Sequence, residues 1–177
     1  MQKRSSIVKM EEKTGRSGAL CFVTVRHEIS QNGQIALSED HDIVYREDPQ
    51  KGRTSPAPMP APQEAEFSET IQPDPVTLFR YSALTFNGHR IHYDVDYARQ
   101  VEGYEGLVFH GPLTATLLVD LGRRMVGKTP KRFSFRGLAP IAGNAPFQIQ
   151  GRPEGHSMAL WARRADGAMA MQADAVF

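Results

Sequence analysis

The sequence predicts an α+β fold in which an antiparallel sheet carries one long amphipathic helix. Three features carry that expectation. Residues 1–46 alternate apolar and polar side chains at period two, residues 112–126 hold an apolar stripe at helical spacing, and four short alternating runs follow, joined by turns too short for crossovers.

In the first segment Cys21, Val23, Val25, His27 and Ile29 alternate with Leu20, Phe22, Thr24, Arg26 and Glu28. A second alternating run passes through Ile35, Leu37, Glu39, His41, Ile43 and Tyr45, and Asn32-Gly33 between the two tolerates positive φ, so a hairpin is expected. A weaker strand at 7–12 precedes the turn-like stretch 14–18. Three strands alone are marginal, so residues 1–47 are expected to be a meander that packs on something else and could extend the later sheet. Residues 48–66 hold five of the twelve prolines and read as an extended Pro/Ala-rich linker.

Residues 67–177 form the expected second domain. Asp74 can cap a helix over 75–84 with Pro75 at its first position, 85–93 reads as a polar loop, and 95–101 as a short helical piece. In the long helix 112–126, Leu113, Leu117, Leu118, Leu121 and Met125 make the stripe, Asp120 can pair with Arg124, and Gly127 stops the helix. The strand runs are 131–140, 146–152, 157–163 and 168–177, with turns at Gly143-Asn144, 153–155 and Asp166-Gly167.

Composition narrows the function. The 177 residues carry 21 Lys+Arg against 20 Asp+Glu, a formal charge of +1, which removes a strongly polyanion-seeking protein. Apolar residues at 40% allow a core and exclude a disordered tail. The single Cys21 excludes an internal disulfide framework. No apolar run approaches the roughly 18 residues that span a bilayer, and residues 1–13 are charged rather than signal-like, so a soluble, cytoplasmic chain without membrane contact is expected. Six cations fall between Arg123 and Arg136 with no acid among them. Nucleic acid, a phosphorylated group such as coenzyme A, or plain solvent all suit such a patch, but the absence of interleaved aromatics argues against nucleic acid.

The chemistry concentrates at Asn87-Gly88-His89-Arg90-Ile91-His92-Tyr93-Asp94 and at Phe109-His110-Gly111-Pro112, which hold three of the six histidines. Imidazole moves protons near neutral pH, and the Gly111 amide at the start of the apolar helix can face a developing oxyanion. His27, His41 and His156 read as surface or capping residues. Zinc on His89, His92 and His110 is disfavoured, because no cysteine is near and nothing enforces a common face, so no metal is expected. Cys21 is remote in sequence, no G-x-S-x-G elbow occurs, and no glycine-rich phosphate cradle is present.

Residues 78–121, LFRYSALTFNGHRIHYDVDYARQVEGYEGLVFHGPLTATLLVDL, resemble the MaoC-like acyl-thioester hydratases. They look closest to the branch that holds hydroxyacyl-thioester dehydratase type 2 and the mesaconyl-C4-CoA and itaconyl-CoA hydratases. The resemblance runs from about residue 15 to residue 177. It implies a hot-dog fold, an antiparallel sheet wrapped around a long helix, and reversible hydration of an α,β-unsaturated acyl thioester.

By that resemblance His92 matches the catalytic histidine of a D-x-N-P-x-H pattern, while Asn87 stands where an aspartate is expected. An amide cannot act as a base, so Asn87 would position water, Gly111 would stabilise the oxyanion, and His89 or Asp94 would share the proton work. Arg90 could bind a carboxylate of a dicarboxylic acyl group or pair with Asp94 or Asp96. Tyr81, Tyr104, His89 and His110 are candidates for the substrate pocket, the tyrosines equally for the core. The substrate would be an acyl-CoA or acyl-carrier thioester, with coenzyme A present only as part of it and no separate cofactor. Members of the branch usually have two hot-dog units, and residues 1–47 match only the strands that end the first, which implies an internal start or a covering subunit, and hence a homodimer or higher oligomer. A hot-dog thioesterase and a non-catalytic acyl-thioester-binding subunit are the alternatives.

Overall fold

Asn32 and Gly33 adopt φ of 51° and 77° and form the two-residue turn between β2 (Gly18–Gln31) and β3 (Gln34–Arg46). Positive φ at both central positions matches the twist of the flanking strands, which is why Asn-Gly favours such hairpins. A further strand, β1 (Gln2–Gly15), pairs antiparallel with β2 from Gln2↔Ser30 to Gly15↔Gly18, with a register shift between Ile7 and Lys9. It is longer than the expected 7–12, because backbone pairing continues where both faces are polar and the sequence loses its alternation. Arg26 lies opposite Asp40 and donates to both carboxylate oxygens at 2.7 Å, a cross-strand pair on the β2–β3 ladder.

The computed structural model describes residues 1–15, 18–46 and 57–177, which divide into two compact units, Met1–Ser55 and Pro56–Phe177. The expected β1–β2 turn therefore lies partly outside the described residues, at 16–17, as does the expected linker over 48–56. The meander forms a sheet of its own, in the order β1-β2-β3, rather than an extension of the second sheet.

In the second unit, residues 57–66 do not simply span a gap. The Met169 N–H donates to the Met59 carbonyl at 2.7 Å, the Ala61 N–H donates to the Gly167 carbonyl at 3.0 Å, and Ala61 is buried with Trp161 and Met169. The chain then enters β4 (Phe67–Ile71), a strand the sequence reading lacks because only its two ends are apolar. α1 (Pro75–Thr85) starts as expected, with the Asp74 carboxylate accepting from the Val76 and Thr77 N–H groups. A single 3-10 turn (Arg90–His92), α2 (Val95–Gln100) and α3 (Gly111–Val126) follow. Then come β5 (Arg132–Gly137), β6 (Phe147–Glu154), β7 (Ser157–Arg163) and β8 (Met169–Val176).

These strands make a five-stranded antiparallel sheet in the order β4-β6-β7-β8-β5. β6, β7 and β8 are joined by the expected tight turns, but β5 pairs with β8 at the opposite edge from β4, so Gly143-Asn144 does not close a hairpin. Residues 138–146 instead cross from one side of the sheet to the other and pass the candidate site on the way.

α3 lies on one face of this sheet. Its buried stripe is Thr114, Ala115, Leu118, Leu121 and Gly122, with Leu113 and Leu117 half-buried, while Met125 is exposed. The expected stripe is thus rotated toward the small residues Ala115 and Gly122, because helix and sheet approach closely. A Cβ on Gly122 would meet Leu160 Cδ1 at 3.2 Å, and one on Gly151 of β6 would meet Leu160 Cδ2 at 2.6 Å and the Ala159 carbonyl at 3.2 Å. Leu118, Leu121, Phe147, Ile149, Leu160, Ala162 and Ala175 form one core with Leu78 of α1. On α3 the Arg124 guanidinium bridges Asp120 and Glu69 of β4 at 2.9 and 2.7 Å, tying helix to edge strand.

Truncation of Leu118, which is fully buried, to alanine is expected to cost about 2–5 kcal/mol in denaturant unfolding. Met125→Ala, on the exposed side of the same helix, is expected to stay within about 0.5 kcal/mol of the native protein.

Candidate active site

Three backbone segments lie side by side and hold the candidate residues. The Val108 N–H donates to the Ile91 carbonyl at 2.9 Å, the Phe109 N–H to the Ile141 carbonyl at 2.8 Å, and the Gly143 N–H to the Leu107 carbonyl at 3.0 Å, beside a Val108↔Ala142 bridge. The approach is closest at Gly106, where a Cβ would meet Gly143 Cα at 2.9 Å. Ile91, Ala98 and Val108 bury a small apolar cluster there, with Tyr97 and Tyr104 packed against it. The crossing segment thereby clamps the 3-10 turn against the residues that lead into α3, which brings His92 and His110 together across eighteen residues of sequence.

The two rings stack, with centroids 3.7 Å apart and planes 17° from parallel. His92 is 7% exposed and His110 is fully buried. The Nδ1 atom of His92 lies 2.7 Å from the Val108 carbonyl oxygen. A carbonyl can only accept, so Nδ1 carries the hydrogen and Nε2 is the basic nitrogen of the neutral ring. Burial pushes the His92 pKa below its usual 6.5, partly opposed by the Val108 hydrogen bond. For His110, burial and then the His92 charge lower the pKa to about 4. Its Nε2 lies 2.9 Å from Ser82 Oγ of α1 in a buried hydrogen bond, its Nδ1 is buried without a protein partner, and the Tyr81 ring lies against it at 4.8 Å.

The remaining candidates fall around this stack in distinct ways. His89 presents its ring edge to His92 at 5.8 Å, and its Nε2 is 4.0 Å from a Glu102 oxygen. Asn87 Oδ1 accepts the His89 N–H at 3.1 Å, and the Asn87 N–H donates to the Ser82 carbonyl at 2.9 Å, which pins the loop to the end of α1. Arg90 donates through Nε and Nη2 to Asp94 Oδ2 at 3.1 and 2.7 Å and lies 4.2 Å over the Tyr97 ring. Of its two expected partners the geometry therefore supplies Asp94. Asp94 also accepts the Tyr97 N–H, and that bond first, then Arg90, hold its carboxyl below the usual range as the cap of α2. Tyr104 belongs to the apolar cluster behind the 3-10 turn, whereas Tyr81 touches His110.

Gly111 is the first residue of α3, on the exposed rim next to buried His110. Pro112 has no N–H, so the Gly111 and Leu113 amides are the donors of the first turn without an intrahelical acceptor, and the helix dipole aims positive potential the same way. A Cβ at Gly111 would meet only Met171 Cε, at 4.0 Å. The arrangement thus stacks a neutral imidazole, its Nε2 free among the described residues, on the residue that precedes the first turn of α3. Ser82, Gly106 and the Val108 carbonyl are the parts that sequence reasoning missed, and the one signal for Ser82 is its place four residues after buried Leu78 on the inward side of α1.

The histidines set a sign for stability against pH. Both pKa values are lowered by folding, so the unfolded chain takes up protons below about 6.5 that the folded chain binds only at lower pH, His110 at about 4. Stability is expected to be complete above pH 6.5 and to fall by up to about 3 kcal/mol toward pH 4 on account of His110, as read by urea unfolding across that range. His110→Phe is expected to flatten that slope. Gly106→Ala is expected to destabilise the fold by more than 1 kcal/mol, because the obstructing atom is backbone.

Known proteins resemble the chain along its length. The family model for hydroxyacyl-thioester dehydratase type 2 matches residues 1–143. Mesaconyl-C(4)-CoA hydratase of Chloroflexus aurantiacus is 46% identical over 175 residues, 97% of this chain and 61% of that protein. The mitochondrial hydroxyacyl-thioester dehydratase type 2 of Schizosaccharomyces pombe is 34% identical over 119 residues, 66% of this chain and 39% of that protein. The chain thus spans between about two fifths and three fifths of the curated relatives it matches. Among solved structures, HtdX from Mycobacterium tuberculosis superimposes with a TM-score of 0.70 at 17% identity, over 99% of this chain and 67% of that one. A MaoC-like dehydratase from Phytophthora capsici gives 0.65 at 16%, over 99% and 63%. Those likenesses show the hot-dog fold. With a family model covering most of its residues, the chain belongs to the hydroxyacyl-thioester dehydratase type 2 family.

Proposed function

We propose that this chain is a hydro-lyase that reversibly adds water across the double bond of an α,β-unsaturated acyl thioester. The observation that carries the reading is the His92 ring held neutral with Nδ1–H on the Val108 carbonyl, beside the first turn of α3. In the hydration direction His92 Nε2 takes a proton from water as the oxygen bonds to the β carbon. The electron pair of the double bond moves to the thioester oxygen, where the Gly111 N–H stabilises it. The imidazolium then returns a proton to the α carbon, so one molecule of water has been added and the base is restored. Dehydration is the reverse. Asn87, whose Oδ1 is occupied by the His89 N–H, offers its amide NH₂ to position the water or substrate.

The substrate class follows the names of the relatives, a hydratase of mesaconyl-C(4)-CoA and dehydratases of hydroxyacyl thioesters. We read the carrier as coenzyme A or an acyl carrier, with a second carboxylate on the acyl group admissible. No separate cofactor or metal takes part in this scheme. Among the described residues no helix is long and apolar enough to cross a membrane, which suits a cytoplasmic enzyme. Exposed Val76, Phe79, Leu84 and Phe86 on and just after α1 suit a homodimer or higher homo-oligomer.

Incubation with small enoyl-CoA thioesters, including mesaconyl-C4-CoA, is expected to bleach the ultraviolet absorbance of the conjugated thioester without release of free thiol. His92→Asn is expected to lower kcat by at least about 10²-fold with the fold retained. Thiol release, or full activity in that variant, overturns the reading. Because His92 must be neutral and its pKa is lowered, kcat/KM is expected to hold its plateau down to a midpoint below pH 6.5 and to fall only under it.

A further inference from the structure

Ser82 stands on the buried side of α1, four residues after Leu78, where helical spacing calls for an apolar residue. A hydroxyl buried there costs free energy unless it is partnered, and its partner is His110 Nε2 at 2.9 Å. Among the described residues His110 in turn has no other polar partner, since its Nδ1 is buried and unpaired. The Ser82 bond is therefore the one directional contact that sets the rotation of the His110 ring about its side-chain axis. The flat face so oriented is the one on which His92 stacks at 3.7 Å. The backbone of the same residue acts on the other candidate, because the Ser82 carbonyl accepts the Asn87 N–H.

We propose that Ser82 is a positioning residue of the active site, which acts through His110 to hold the His92 ring in the plane that aims its basic nitrogen. This rests on the reading of His92 as the base. Two of the contacts at His92 are non-directional or weak: the His110 face and the edge of His89 at 5.8 Å. Among the described residues only the Val108 carbonyl holds it through a hydrogen bond, and a single hydrogen bond leaves a ring free to tilt about that bond. The stack removes the tilt, and Ser82 keeps the stack flat. Tyr81, the residue before Ser82, also packs on His110, at 4.8 Å and tilted by 59°, and a change in the His110 plane is passed on to His92 through the stack. The charged groups on the neighbouring 3-10 turn and α2 are engaged: Arg90 and Asp94 bind each other, and Glu102 accepts from the Tyr97 hydroxyl and lies 4.0 Å from His89.

The test compares Ser82→Thr, which keeps the hydroxyl, with Ser82→Val, which has the same shape without it, and uses Ser82→Ala should the added methyl groups prevent folding. The ring of His92 is followed by NMR titration, its signals assigned through His92→Asn, and turnover of an enoyl-CoA is measured in parallel. In the native protein and in Ser82→Thr, His92 is expected to stay in the Nδ1–H form and to titrate below 6.5. In Ser82→Val and Ser82→Ala the loosened, wetter ring is expected to titrate higher by about half a unit or more. In those two variants kcat is expected to fall about tenfold, the worth of one hydrogen bond, with KM unchanged. An unaltered His92 titration in folded Ser82→Val or Ser82→Ala overturns the inference, as does an equal loss in Ser82→Thr. A native protein that hydrates nothing, yet shows the titration shift, removes the proposed reaction and leaves the coupling of Ser82 to His92 standing.

Discussion

The burial of α3 against the five-stranded sheet is the constraint on which the rest of the second unit depends. Leu118 and Leu121 meet a sheet whose inward side chains include Ile149, Leu160 and Ala162, and Gly122 and Gly151 let Leu160 seat between helix and strand. Apolar area of this kind is the main favourable term in folding a chain of this size. Because the helix is held along its length, its first turn is also held. Gly111 and the ring of His110 then have fixed positions relative to any segment clamped beside them.

The clamp is the crossing of residues 138–146. An antiparallel sheet that places β5 and β6 on either side of β7 and β8 obliges the connection between them to traverse the molecule. Its backbone hydrogen bonds to residues 107–109, and theirs to Ile91, are satisfied pairs in a buried region, where an unpaired amide would be costly. Topology thereby converts two loops, distant in sequence, into the walls of one site.

Electrostatically the candidate site favours neutral histidines. Burial disfavours protonation of both stacked imidazoles, the His92 charge further opposes that of His110 and the His89 charge that of His92, and the nearby Asp94 is engaged in a helix cap and an ion pair. Under the proposed reaction, a neutral base with a defined tautomer next to helix-terminal amides would accept a proton as negative charge develops at those amides, and preorganisation of that kind needs no rearrangement.

The sequence by itself determined the elements set by local rules. Asn32-Gly33 could only turn with positive φ, Asp74-Pro75 could only begin a helix, Gly127 ended one, and the alternation at 146–176 marked three strands. It also marked His92, His110 and Gly111, because histidines and a helix start are chemically conspicuous residues. Tertiary structure alone decided the rest. β4 has too few apolar residues to announce itself and exists because β6 offers an open edge. The stripe of α3 turned toward Ala115 and Gly122 because the sheet comes close. Arg90 went to Asp94 rather than Asp96, a choice that sequence spacing left open, and lies over the Tyr97 ring. Ser82 acquired its partner only when α1 and the start of α3 were packed together, since a hydrogen bond across twenty-eight residues depends on the long-range fold and leaves no trace in any local pattern.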